Sequence, residues 1–163
     1  MRLDDDAFER NIVANVREHG CHINYVFDPE GVEPDFAYSV GFPETVGQPE
    51  VIVFGLSREV MHFMINEILR QCRDGLQLED GLAISGLLEG HECIACAIPP
   101  RDIVREHFNS ALWFRQFTTG EQAIDACQIV WPSAVDGLFP WEDGCDDSVR
   151  NFQPCLFAEE AQS

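Results

Sequence analysis

The stretch Phe36-Ala37-Tyr38-Ser39-Val40-Gly41-Phe42 decides the fold, because large apolar residues alternate in it with small residues. A period of two is typical of a β-strand whose two faces have different surroundings. The second face carries Ala37, Ser39 and Gly41, so we expect another element of the protein to pack very close to it.

A second strand and a helix follow this stretch along the chain. The continuous apolar run at residues 51–54 predicts a strand that is covered on both faces. Ser57 is a typical N-cap, and apolar residues then recur at helical spacing as far as Arg73. This stripe consists of Val60, Met61, Met64, Ile65, Ile68, Leu69 and Cys72. The pattern predicts an amphipathic helix that packs on the sheet.

The rest of the chain predicts further elements of both kinds. A helix is expected between a cap at Asp6 and a stop at Gly20, and another from about Asp102 into the run Leu112-Trp113-Phe114. Strands are expected near residues 23–27, 83–88, 92–98 and 128–131, and the tail from Glu142 is expected to be mostly irregular. Single helices separate groups of strands, so we predict one α+β domain over residues 1–163, with a curved, mainly antiparallel sheet packed by two or three helices.

The charge of the chain is strongly negative. There are 29 acidic residues against 10 basic ones, all of them arginine, and the formal net charge is −19. From Glu121 onward the only base is Arg150, and the acids are Glu121, Asp125, Asp136, Glu142, Asp143, Asp146, Asp147, Glu159 and Glu160. Such a field repels nucleic acid and anionic membranes and favours a basic protein partner. Solubility, or a bias toward arginine codons, would explain the same composition.

The composition also predicts where the protein works. No apolar run approaches the ~20 residues that a membrane-spanning helix needs. The sequence begins Met1-Arg2-Leu3-Asp4-Asp5-Asp6, which lacks the basic and apolar parts of a signal peptide. The number of cysteines is odd, at seven, and the chain is long enough to build its own core without disulfides. Reduced, buried thiols are therefore expected. We therefore predict a cytoplasmic protein.

Neither metal binding nor serine catalysis is well supported by the motifs. The run His91-Glu92-Cys93-Ile94-Ala95-Cys96 contains a CxxC, but residues three apart on a strand point to opposite faces, and zinc needs about four ligands. We predict no metal and no cofactor; were a metal bound, His91, Cys93 and Cys96 would be the suspected ligands. Ser39 resembles a nucleophile elbow, but it lies within a strand rather than on a strand-to-helix turn.

Two tryptophans beside prolines mark the C-terminal quarter of the chain. They occur as Trp131-Pro132 and Pro140-Trp141, and the prolines stiffen the approach of each indole. A pocket with aromatic walls could contain six residues: His22, His91, Tyr38, Trp131, Trp141 and Glu142. The same residues could equally form a satisfied polar network and a set of core aromatics.

Four motifs in order resemble the bacterial family called domain of unknown function 4262. They are residues 36–42, residues 49–56, the two tryptophan-proline motifs and Gln153-Pro154-Cys155-Leu156, and the resemblance covers roughly residues 20–156. The family usually has Thr in place of Ser39 and Asp in place of Ser133. The resemblance implies no reaction, substrate or cofactor.

Two hypotheses about function remain from the sequence. The first is a non-catalytic, acidic binding or regulatory module that meets a basic protein partner through the two tryptophans, Trp131 and Trp141, and the acidic C-terminal surface with Asp143, Asp146 and Asp147. The alternative is a small-molecule enzyme or ligand-binding protein whose pocket carries His22, Tyr38, Trp131, Trp141 and Glu142. A closed pocket with a perturbed His or Glu would favour the alternative, and a flat acidic face would favour the binding module.

Overall fold

The computed structural model describes residues 3–157, with side chains from Ala7 onward. Glu159 and Glu160, two of the acids counted in the C-terminal quarter, lie outside the described residues. The elements follow in the order α1 (Leu3–His19), β1 (His22–Val26), β2 (Phe36–Val40), α2 (Phe42–Val46), β3 (Glu50–Phe54), α3 (Arg58–Arg73), β4 (Leu82–Leu88), β5 (His91–Ala97), a 3-10 turn (Pro100–Asp102), α4 (Arg105–Thr119), β6 (Ala126–Val130) and α5 (Asp147–Asn151).

The described strands form one open sheet of six strands in the order β1-β2-β3-β6-β5-β4. Four of the five neighbouring pairs are antiparallel, and only β3 and β6 run parallel. Tyr38 stands opposite Ile52 in the pairing of β2 with β3. The predicted α+β fold with a mainly antiparallel sheet is confirmed.

Helices cover both sides of the sheet. On one side, α3 packs its buried Met61, Met64, Ile65 and Ile68 against small and β-branched residues of β2 and β3. On the other side, α1 and α4 pack against the large residues of the same strands, with Phe108 at the centre of the cluster. The small face of β2 therefore allows the close approach of α3, as the alternation predicts.

The start of α3 is also as predicted. Ser57 is the N-cap, and its Oγ accepts a hydrogen bond from the backbone N–H of Val60 at 3.2 Å. This bond satisfies one of the N–H groups that the first turn of a helix leaves without a partner.

Two local predictions were wrong. Phe42 does not end the strand but is the first residue of α2, because the chain turns at Gly41. Helix α1 begins at Leu3, so Asp6 lies within it and does not cap it. Both errors concern an end of an element. The described part of the tail after Glu142 is mostly irregular, as predicted, apart from the short helix α5, which Asp146 caps by accepting a side-chain hydrogen bond from the N–H of Ser148.

None of the helices in residues 3–157 is both long and apolar enough to cross a lipid bilayer.

Candidate functional site

His22 and Tyr38 belong to one chain of hydrogen bonds between the sheet and two helices. Asn15 of α1 contacts His22 Nδ1 through its Nδ2 at 2.9 Å, and His22 Nε2 lies 2.7 Å from Asn24 Oδ1. Asn24 Nδ2 donates to Tyr38 Oη at 2.8 Å and to Ser110 Oγ at 2.6 Å. The backbone N–H of Ser110 also donates to Tyr38 Oη, at 2.9 Å. The network thereby fastens α1 and α4 to β1 and β2.

The imidazole of His22 is fully engaged in this network. Both ring nitrogens have a partner, and the amide donor on Nδ1 leaves the proton on Nε2. Burial lowers the pKa of His22, and the hydrogen bond with Asn24 opposes this only in part. A neutral, buried ring with two occupied nitrogens positions helices rather than transferring protons to a substrate.

Trp131 lies on the opposite side of the sheet from Tyr38, in the cluster that packs on α3. Its Nε1 donates to the carbonyl of Phe54 at 2.7 Å. The side-chain amide of Gln153 binds the backbone of Trp131 twice: its Oε1 accepts from the N–H at 2.9 Å, and its Nε2 donates to the carbonyl at 2.9 Å. The structure therefore makes Trp131 a core anchor that ties the C-terminal segment to the sheet.

Trp141 lies at the surface, in the loop that follows β6. Its indole stacks on Phe139, with ring centroids 5.1 Å apart and planes within 4° of parallel, and both rings are partly exposed. Glu142 closes the turn, since its Oε1 accepts from the backbone N–H of Phe139 at 3.0 Å. The sequence analysis missed Phe139, although the motif Phe139-Pro140-Trp141 holds the two rings two residues apart.

The aspartates of this loop are exposed, and the nearby Arg150 binds backbone carbonyls and lies 3.9 Å from Asp147 Oδ1 through its Nη1. Asp143, Asp146 and Asp147 are exposed, and hydrogen bonds from the N–H and hydroxyl of Ser148 lower the pKa of Asp146. Arg150 donates to the carbonyls of Pro140 at 2.7 Å and Glu142 at 3.0 Å. We call this region the acidic loop surface; it consists of Phe139, Trp141, Glu142, Asp143, Asp146 and Asp147.

The predicted site residues thus fall into three places. His22 and Tyr38 share the buried network, Trp131 lies in the core on the other side of the sheet, and the rest form the acidic loop surface. The structure does not bring them together into one pocket. Of the suspected metal ligands, Cys93 and Cys96 are fully buried, and burial raises the pKa of each to about 12. Within residues 7–157, no group of three or more His, Cys, Asp or Glu side chains could hold a metal ion.

Glu50 is a buried carboxylate that the sequence analysis did not single out. It is 1% exposed and accepts three hydrogen bonds: from Ser39 Oγ at 2.7 Å, from Gly41 N at 2.7 Å and from Phe42 N at 3.1 Å. Ser39 Oγ in turn accepts from the N–H of Val51 at 2.9 Å. An acid immediately before an apolar strand was the available signal. These hydrogen bonds fix the turn from β2 into α2. The hydroxyl of Ser39 both donates and accepts a hydrogen bond within them.

We expect Glu50 to make stability depend on pH. Burial raises the pKa of Glu50 from its ordinary value of 4.5 to about 8, against the opposing effect of its three hydrogen bonds. Between these values the folded state holds a proton that the unfolded state has released, so the free energy of unfolding should fall as pH rises from about 5 to about 8. Urea unfolding of the wild type and of Glu50→Gln across this range measures the effect.

The amide of Glu50→Gln cannot titrate, so the difference in stability between the two proteins should change with pH and level off above the folded pKa. Curves that stay parallel from pH 5 to pH 8 would show that Glu50 is ionised throughout.

One comparison with known proteins gives a match. The family model described as Domain of unknown function (DUF4262) matches residues 15–146. No curated protein and no solved structure matches the chain.

Proposed function

Since the chain belongs to the DUF4262 family, which has no assigned activity, we propose its function from its own surface: a non-catalytic module that binds an arginine-rich segment of a protein partner through the acidic loop surface.

The observation that carries this proposal is the stacked pair of Phe139 and Trp141 beside exposed carboxylates. A guanidinium group lies favourably over an indole face, and it also forms hydrogen bonds with carboxylates. Asp143 and Asp147 are exposed close to the aromatic pair in sequence. This loop therefore carries, within a few residues along the chain, both kinds of contact that an arginine side chain uses.

The charge of the whole protein supports the same kind of partner. A net charge of −19 attracts a basic segment at long range and speeds its association. The same field repels the phosphates of nucleic acid and of anionic lipid, so we propose that neither is a ligand. We also propose that the module works in the cytoplasm, where buried thiols such as that of Cys93 stay reduced.

Glu50 and His22, the acid and the imidazole of the sheet whose pKa values are shifted, do not favour catalysis. Glu50 is sealed by three donors, and both nitrogens of His22 are occupied. A general acid or base must reach a substrate within hydrogen-bond distance. Glu50 is 1% exposed and both nitrogens of His22 are occupied, so neither side chain offers a substrate such a contact.

The test uses a fluorescent peptide in which arginines alternate with glycines, and a control peptide with glutamine in place of arginine. We expect the arginine peptide to bind and the glutamine peptide not to bind. Trp141→Ala should raise the dissociation rate about tenfold, because aromatic anchors hold a formed complex together. Trp113→Ala is the matched control, since Trp113 stacks on Phe117 at 5.1 Å in α4, outside the acidic loop surface.

Charge reversal tests the carboxylates separately. Asp143→Lys with Asp147→Lys should lower mainly the association rate. Asp146 is left unchanged because it caps α5. Glu18→Lys with Glu59→Lys changes the net charge equally at exposed positions on α1 and α3. If both double variants lose the same amount of binding, the net charge of the protein, and not the position of Asp143 and Asp147, determines the affinity, which contradicts the proposed site. Tight binding of the glutamine peptide would also refute the proposal.

A further inference from the structure

His107 lines a groove that shares no residue with the acidic loop surface. The groove holds about 410 Å³ and lies between the first turn of α4, the end of β3 and the loop between β1 and β2. The imidazole stands edge-on to two rings, with centroids 5.5 Å from Phe36 and 5.8 Å from Phe54. Leu156 and the exposed Phe27 extend the apolar wall.

His107 Nδ1 is the one buried side-chain nitrogen or oxygen atom in residues 7–157 that has no hydrogen-bond partner. Buried polar groups are nearly always paired, so an orphaned ring nitrogen calls for an explanation. Burial lowers the pKa of His107 more than Glu106 and Glu33 raise it, so the ring is neutral and has one lone pair, which lies on Nδ1 in the Nε2–H tautomer. Nδ1 is buried in the structure, so a ligand that uses it requires the ring to turn about its Cβ–Cγ bond, a torsion that is broad.

The charged residues that line the groove are all acidic. They are Asp28, Glu33 and Glu106, with no arginine among them. Asp28 is occupied by the loop, because its carboxylate accepts from the backbone N–H groups of Glu30, Val32 and Glu33 at 3.0 Å each. Glu33 and Glu106 have no such partners within residues 7–157 and are exposed at the rim. The groove thus combines an apolar wall, a lining histidine with a buried, unpaired ring nitrogen, and two available carboxylates.

We infer that this groove binds a small organic amine with an aromatic body. The body packs against Phe36, Phe54 and Leu156. The ammonium group lies toward Glu33 and Glu106 and donates one N–H to Nδ1 of His107. The volume of about 410 Å³ lies in the range typical of small-molecule sites. A carboxylate ligand of the same shape would face two acids and the lone pair of a neutral imidazole, so the site should reject it.

Calorimetric titration with phenethylamine, and with 3-phenylpropionate as its anionic counterpart, tests the inference. We expect the amine to bind and the carboxylate not to bind. The ring nitrogens of His107, followed by nitrogen-15 NMR, should shift on addition of the amine. Glu33→Gln should weaken binding about tenfold by removing a charge at the rim, whereas Glu30→Gln, an exposed acid of the same loop that does not line the groove, should leave it unchanged.

His107→Phe separates the roles of the nitrogen and of the ring. Phenylalanine retains the aromatic contacts and removes the orphaned nitrogen, so the variant should melt at a higher temperature while its affinity for the amine falls. The inference is overturned if 3-phenylpropionate binds as well as phenethylamine, if His107→Phe binds the amine as before, or if the amine neither binds nor shifts the His107 resonances.

Discussion

Replacing Glu50 with alanine is expected to lower the free energy of unfolding by about 3 kcal/mol or more, since each buried donor left without a partner costs about 1–3 kcal/mol. The donors are the hydroxyl of Ser39 and the N–H groups of Gly41 and Phe42. Losing their shared acceptor should loosen the turn from β2 into α2. Urea unfolding at about pH 6, near the middle of the range in which Glu50 is protonated only in the folded state, measures the loss.

Two further variants test whether the lost acceptor is the cause of the destabilisation in Glu50→Ala. Glu50→Gln retains one carbonyl acceptor, so it should be less damaging than Glu50→Ala. Glu92→Ala removes an exposed carboxylate from β5 and should change stability by less than about 0.5 kcal/mol. A small loss for Glu50→Ala, similar to that of Glu92→Ala, would mean that the three donors find other partners and that Glu50 does not fix the turn.

Gly55→Ala is expected to be the other strongly destabilising change. Gly55 follows β3 with φ +80°, and a Cβ atom at this position would lie 2.4 Å from the carbonyl oxygen of Phe152. The C-terminal segment would have to move away, which would strain the bonds of Gln153 to Trp131 and Val149. We expect a loss of about 3 kcal/mol or more, because a close backbone contact cannot give way as a flexible side chain can.

Gly90→Ala is the matched control for this prediction. Gly90 has φ +81°, but a Cβ atom there would meet nothing within 4 Å. Alanine at this position should lower the free energy of unfolding by about 1–2 kcal/mol, because only the left-handed backbone conformation is unfavourable there. The excess loss in Gly55→Ala measures the close approach to Phe152, and equal losses in the two variants would show that the C-terminal segment is not held against β3.

Much of the central fold could be predicted because its signals are local. The cap at Ser57 and the apolar stripe place α3 to within one residue. The alternation places β2 and correctly predicts close packing on its small face. The end of that strand could not be predicted, because the N–H of Phe42 binds a carboxylate that lies in β3. The alternating pattern alone predicts that the strand continues to Phe42. The hydrogen bond from Phe42 to Glu50, which the pattern does not reveal, accompanies the turn into α2 instead.

The candidate site was harder to predict because its partners are distant in sequence. Alternation correctly put His22 and Asn24 on one polar face of β1, but the partner Ser110 is 86 residues from Asn24. The opposite placement of Tyr38 and Trp131 depends on the parallel pairing of β3 with β6, which the sequence pattern does not reveal. The acidic loop surface was more accessible, since Trp141 and its acids are close together along the chain.

The measurement that most directly tests the proposed function is the affinity of the arginine peptide at increasing salt concentration. Exposed charges are screened over about 10 Å at 0.1 M salt, so the dissociation constant should rise at least about tenfold between about 0.05 and 0.5 M. Binding to Asp143→Lys with Asp147→Lys should be weaker and less dependent on salt. A dissociation constant that does not change with salt, or that is the same for the arginine and glutamine peptides, would contradict the account.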